Sequence, residues 1–223
     1  TLDDENVKNT FVWNNGSART NYKIVDKRSM MTEINDKGEN VSQEKQAELV
    51  SLVGELSKSA SVAVMSGSLP SGVGDDYYLK LSSAVPKTTK IILDTSGNKM
   101  IAGLRGGAYL IKPNLDELQE MTGEHYDSFD EMITGCEKLI EAGAENVMLS
   151  LGRKGAILTD GDKAYFCKSA TVAVNSTVGA GDGMVAAAAS MIEQNAPYED
   201  VLRCAVAAGT ASVMTPGTNL FYK

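Results

Sequence analysis

A chain of 223 residues, 43% of them hydrophobic, can bury one large core or two small ones, and its formal charge of −8 with scattered lysines and arginines argues against a nucleic-acid surface. No apolar run approaches the roughly 20 residues of a membrane helix, and the opening TLDDENVKNT lacks the basic flank and apolar centre of a signal peptide, so the cytoplasm is the expected compartment. Cys136, Cys167 and Cys204 are odd in number and form no CxxC or CxxH pair, which reads as reduced structural thiols rather than a disulfide framework or a zinc site.

Apolar and polar residues alternate over FVW (11–13), TNYKIVD (20–26) and MMTEI (30–34), the pattern of short antiparallel strands with one wet face. These strands make a first unit, residues 1–41, a small β lid; residues 42–223 form the second, an α/β core. Ser42 is a good N-cap for a helix in which Leu49, Val50, Val53 and Leu56 recur at helical spacing with charges opposite. SVAVM (61–65), cut off by SGSLPSGVG, is expected to be a buried parallel strand ending in a loop. The alternation then repeats: helix in DDYYLKLSSA, strand in KIILD (90–94), helix in NKMIAGLR, strand in AYLIK (108–112), helix in LDELQEMTG. Ser128 and Glu131 form a capping box ahead of DEMITGCEKLIEAG, and NVMLSL (146–151) follows as another buried strand. AILT, the turn DGDK and AYFC make a hairpin, and two Ala-rich helices, 181–194 and about 198–214, close the pattern. This rhythm specifies an α/β chain with a mostly parallel sheet and helical crossovers.

In such sheets a ligand sits beyond the carboxyl ends of the strands. SGSLP after Met65, DTSGN after Leu93, KPN after Ile111, SLGRKG after Met148 and STVGAGD all place small polar groups and exposed amides there. Turn formation accounts for any one of them alone; several in succession are harder to account for that way. Gly179, Ala180, Gly181 and Asp182 stand at the start of an Ala-rich helix, where small residues admit a ligand to the backbone and unpaired amides with the helix dipole favour an anion. The stretch is not a Walker A loop, since GxxxxGK[ST] is absent, and it fails GxGxxG because position 184 is Met, which also disfavours a dinucleotide-dependent oxidoreductase. A phosphate held by amides leaves a hydroxyl to be oriented and deprotonated, and Asp182 is placed to be that general base; the alternative is an acid that only stabilises the helix start. Bland readings stand beside the other residues too. Asn114 and Glu117 are a good N-cap and capping-box partner, Arg19 a solvated strand residue, Lys112 and Arg153 surface charges. His125, the single histidine, reads as exposed, and Met30, Met31, Met184 and Met191 as packing.

STVGAGD, SGSLPSG, LIKPNLDEL and SLGRKGA, in this order and with these separations, resemble the ribokinase-like (PfkB) carbohydrate kinases from about residue 10 to the end, and RTNYKIVD followed by TEINDKGENVS is most similar to their bacterial 1-phosphofructokinase branch. The resemblance implies a ribokinase-like α/β fold, a mostly parallel sheet flanked by helices with a small antiparallel β lid. It implies ATP-dependent phosphoryl transfer to a ketohexose monophosphate, foremost fructose 1-phosphate to the 1,6-bisphosphate, with 6-phosphofructokinase or tagatose-6-phosphate kinase activity as alternatives. Carried onto this chain, Asp182 would be the catalytic base and the amides of Gly179, Ala180 and Gly181 the anion hole. Asn114 and Glu117 would order magnesium and the phosphates through water; Lys112, Ser150 and Gly152 would line the nucleotide, with adenine near residues 205–217; Arg19 and Ser68 would hold the sugar phosphate. ATP and Mg2+ are the implied cofactors, with a monovalent cation as a further candidate, and the lid implies a homodimer. The sequence departs from the family pattern in three places. The first strand, substrate-binding Asp and GGKG-like segment do not occur before Thr1, the strand and helix after GTNL are cut short, and Gly183 replaces a more usual Ser, Ala or Thr, weakening helix initiation slightly. These 223 residues read either as part of a longer, complete enzyme or as the whole molecule; in the second case, without about the first quarter of the family domain, they are expected to bind sugar phosphate weakly and turn over little, or to be a non-catalytic nucleotide or sugar-phosphate binding module.

Overall fold

Side-chain alternation on a few short apolar strands builds two cores. In β4 (Lys90–Asp94), Ile91 and Leu93 enter one and Ile92 the other; Ile111, Val147, Leu149 and Ile157 follow the first pair, Leu110, Met148, Ala156 and Leu158 the second. Strands with both faces apolar read as unbroken hydrophobic runs, which is why these segments lack polar alternation. The chain is seen in a computed structural model that describes residues 2–25 and 31–215. Expectations for Asp26, Met30, the Met31 side chain, residues 216–217 and the GTNL tail lie outside what is described.

β3 (Val62–Ser66), β4, β5 (Leu110–Ile111) and β6 (Val147–Ser150) pair in parallel, and β7 (Ala156–Thr159) and β8 (Ala164–Cys167) extend the sheet antiparallel, in the order β3-β4-β5-β6-β7-β8. Five helices cover one face: α1 (Gln43–Ser57), α2 (Tyr77–Ala84), α3 (Gly97–Leu104), α4 (Leu115–Thr122) and α5 (Phe129–Glu141). The other face carries α6 (Ala180–Glu193) and α7 (Tyr198–Met214). The starts of α1 and α5 follow the side-chain chemistry that the sequence signals: Ser42 Oγ accepts the Lys45 amide at 3.3 Å, and Ser128 with Glu131 closes a reciprocal capping box. The three cysteines are unpaired, and burial pushes the Cys136 thiol up to about 12, an inert packing group.

Three local expectations are corrected. Residues 11–13 form no strand; three residues flanked by Asn14 and Gly16 offer too few ladder bonds, and Phe11 and Trp13 instead approach each other with ring centroids 5.7 Å apart. β3 is parallel but only Met65 in it is buried, because among the described residues it is the sheet's edge and pairs only with β4, leaving Val64 exposed. On α1, Leu49, Val50 and Val53 pack on the core as the helical spacing requires, whereas Leu56 is exposed one turn further on.

β1 (Asn21–Val25) and β2 (Met31–Asn35) make a separate two-stranded antiparallel sheet in which Tyr22 faces Ile34 and Ile24 faces Thr32. Tyr22, Ile24 and Ile34 are more than half exposed on this face.

α6 and α7 approach closely at two glycines. A Cβ on Gly183 would lie 2.5 Å from Ser212 Oγ and 3.4 Å from the Ala208 carbonyl; one on Gly209 would lie 2.7 Å from Met184 Cγ. Gly183 therefore serves helix packing, a reason beyond its small cost to helix initiation. Gly183→Ala is expected to lower the unfolding free energy by about 1–3 kcal/mol through overpacking. Urea denaturation measures this, and Ser212→Ala should recover most of the loss.

Candidate active site

Parallel pairing brings the carboxyl ends of β3, β4, β5 and β6 to one edge, and the predicted loops leave from it. Next to β3, the Gly67 amide donates to the Asp94 carbonyl at 3.1 Å, and the Gly67 carbonyl accepts the hydroxyls of Tyr78 at 2.9 Å and Thr95 at 3.0 Å. Gly67 sits at φ +102°, a conformation that β-carbon sterics disfavour, so this turn is held by glycine and three hydrogen bonds. It delivers Ser68 to a cavity of about 550 Å3.

That cavity is lined by Arg19, Lys23, Asn35, Lys37 and Ser68, among others. Asn21, Lys23 and Asn35 belong to the lid, which thus turns polar residues toward the cavity and Tyr22, Ile24 and Ile34 away from it. Arg19 and Ser68, named from the sequence as substrate residues, do meet there. Lys23 and Lys37 were missed, although polar positions alternating along a half-wet strand were the available signal for Lys23.

The residues expected at the nucleotide, Asn114, Glu117, Ser150 and Gly152, group separately. Asn114 Oδ1 accepts the Glu117 amide and Glu117 Oε2 accepts the Asn114 amide, both at 2.9 Å, so the NxxE element is a working capping box for α4. Both side chains are thereby held in one orientation at the strand edge. Asn114 also bridges to Ser150, whose hydroxyl donates to the Pro113 carbonyl at 3.3 Å, and Gly152 starts a single 3-10 turn at φ +56° with open space beside it.

At the corner before α6, Gly179 takes φ +81° as N-cap and its carbonyl accepts the Gly183 amide at 2.8 Å. Helix geometry gives the amides of Ala180, Gly181 and Asp182 no intrahelical acceptor. Asp182 is exposed and the three small residues before it are half-buried, so the corner opens to solvent. Lys112, expected as a possible surface charge, is instead 7% exposed. Its Nζ lies 3.3 Å from Asp94 Oδ1 and 3.2 Å from where a Cβ on Gly181 would sit, so the absent side chain at 181 makes room for an ammonium.

Asp94 escaped the sequence reading, which marked only its loop. Burial raises its carboxyl pKa, the Lys112 charge and hydrogen bond oppose the rise, and the Asp182 charge adds to it. His125 is exposed beside Asp127 and joins no part of this edge. Met184 is buried in the core and Met191 packs against it, as expected.

The profile of the pfkB family carbohydrate kinases matches residues 1–222. The chain belongs to that family. Among curated pfkB relatives, a 1-phosphofructokinase of Borreliella burgdorferi is 33% identical over 96% of this chain and 69% of its own length. A D-tagatose-1-phosphate kinase of Bacillus licheniformis is likewise 33% identical, over 96% of this chain and 70% of its own. Phosphofructokinase-2 of Escherichia coli, solved with substrates and products, with potassium and as an inhibited tetramer, superposes in the first of these with a TM-score of 0.89 at 31% identity, over 99% of this chain and 72% of that one. The pfkB assignment confirms the ribokinase-like fold and makes the chain a carbohydrate kinase, a phosphotransferase acting on sugar hydroxyls. No helix among the described residues is long and apolar enough to cross a membrane.

The raised Asp94 pKa has a stability consequence. The native chain binds this proton more tightly than the unfolded chain, whose carboxyl titrates near 3.8. The resulting stabilisation is complete below that value and is lost as pH rises through the higher native one. The unfolding free energy of the protein minus that of Asp94→Asn is therefore expected to fall as pH rises above the unfolded carboxyl value of 3.8, measured by urea titration at each pH.

Proposed function

We propose that the protein transfers the γ-phosphoryl group of ATP to the free hydroxyl of a ketohexose monophosphate, fructose 1-phosphate before fructose 6-phosphate or a tagatose phosphate. The observation that carries this reading is the solvent-open amide corner of residues 179–182, with Asp182 on it and the Lys112 ammonium against it. The 1-phosphofructokinase similarity over 96% of the chain supports the order of substrates.

In this reading the chain's residues divide the work. Arg19, Lys23, Lys37 and Ser68 bind the acceptor's phosphate, a dianion that suits a cavity lined by three cations and a hydroxyl against the single carboxylate of Asp36. The amides of Gly179, Ala180 and Gly181 receive the travelling phosphoryl group, stabilised by the positive end of α6. Asp182 orients the acceptor hydroxyl and takes its proton late, as a loose transition state allows. Lys112, Ser150 and Gly152 line the nucleotide, with adenine toward α7.

Magnesium suits this edge as an ion carried by the nucleotide. No cluster of three His, Cys, Asp or Glu side chains that could hold a metal occurs among the described residues, and Asn114 with Glu117 offers one amide and one carboxylate, a donor set that leaves room for waters and phosphate oxygens. Asn114 and Glu117 would hold it, and its chemistry would be to neutralise charge on the terminal phosphates. The exposed apolar face of Tyr22, Ile24 and Ile34 is the contact we assign to a homodimer.

Asp182→Asn is expected to reduce turnover about 100-fold or more while ATP affinity stays near that of the parent protein. A coupled assay with ATP, magnesium and a panel of ketose monophosphates measures the first, calorimetric titration the second; a fully active variant removes Asp182 from the mechanism. Arg19→Ala should raise KM for the phosphorylated sugar with little change in KM for ATP.

A further inference from the structure

One buried charge has no role in the scheme above. The Asp94 side chain is 17% exposed and the Lys112 side chain 8%, yet both are charged groups at the rim of an open edge. Their closeness is built by the sheet: Leu93 pairs with Ile111 in parallel register, so the next residues, 94 and 112, are neighbours across the two strands. Alternation turns both the way of Ile92 and Leu110, toward the core that packs on α6. The backbone of Asp94 is tied as well, since Ser66 pairs with it in register and its carbonyl accepts the Gly67 amide.

Stability alone is a poor reason for such a pair, because apolar residues of similar volume commonly replace buried ion pairs at no cost. Its position suggests a geometric one. A lysine side chain has four rotatable bonds, and without a partner its ammonium would sample many positions around the corner. With the Asp94 carboxylate 3.3 Å away, the ammonium stands against Gly181, within the turn whose amides are aimed at an anion.

We propose that Asp94 is a positioning residue: its carboxylate holds the Lys112 ammonium at the amide corner of α6, so that the cation is in place when the phosphoryl group arrives. This rests on the kinase reading of that corner. Asp94 touches no reacting atom and acts through Lys112. It also separates the two halves of the site, its side chain serving the nucleotide side while its carbonyl fixes the turn that carries Ser68.

The test compares Asp94→Asn, Lys112→Met and the double variant in the intact protein. Each single variant is expected to lose about 100-fold in kcat with KM for ATP changed much less, the loss typical of a misplaced group. The double variant should lose no more than the worse single, because both remove one interaction. Independent, multiplying losses overturn the proposal, since Asp94 would then act without Lys112. A second measurement needs no turnover: after reductive 13C-methylation, the Lys112 resonance, assigned by its absence in Lys112→Met, should shift in Asp94→Asn and return toward its original position in Asp94→Glu. An unshifted resonance overturns the proposal. A shifted resonance in a protein that phosphorylates no member of the ketose panel overturns the catalytic role together with the kinase reading, and leaves the pair as structure.

Discussion

Parallel pairing of β3 through β6 is the constraint on which the site depends, because it lays four carboxyl-terminal ends along one edge and makes every following loop a neighbour of the next. Ser66 stands beside Asp94 in register, Leu93 beside Ile111, and Asn114 bridges to Ser150. A hydroxyl, a carboxylate, an ammonium and a capped amide thus come together although 48 positions separate the first, Ser66, from the last, Asn114. No local interaction along the chain could do this; the buried faces of Ile92, Leu93, Leu110 and Ile111 do it by locking the register.

Glycine is used at this edge in two different ways. At Gly67 and Gly179 it supplies a positive φ that turns the backbone, φ +102° and +81°. At Gly181 and Gly183 the backbone is ordinary helix and the absent side chain is what matters, leaving space for Lys112 on one side and Ser212 on the other. A glycine-rich loop followed by a helix therefore has a packing logic as well as an anion-binding one. The same turn that opens toward a ligand also sets how closely α6 and α7 approach.

The lid repeats this economy on a smaller scale. Two five-residue strands cannot enclose a core, so each face must find other company. One face gives Asn21, Lys23 and Asn35 to the cavity shared with Arg19 and Ser68, and the other leaves Tyr22, Ile24 and Ile34 uncovered among the described residues. A sheet built this way ties the cavity to whatever surface covers its apolar face.

The amino-acid sequence by itself determined the local events: the caps at Ser42, Asn114 and Ser128, the central strands, the amide corner before α6 and the family signature around it. Each depends on residues within a few positions of one another, where capping hydrogen bonds, periodicity and glycine conformations act. Tertiary structure alone decided which of those signals were buried and what they faced. SVAVM carries the same apolar run as an interior strand, yet among the described residues β3 is an edge with Val64 exposed, because strand order is a long-range property. Lys112, expected at the nucleotide with a surface charge as the alternative, is buried; Asp94, read only as the end of a strand and the start of its loop, is its partner; Lys23 and Lys37 reach the cavity only through the lid's placement. Charge pairing across strands depends on register, and register is set by the whole sheet rather than by any segment of it.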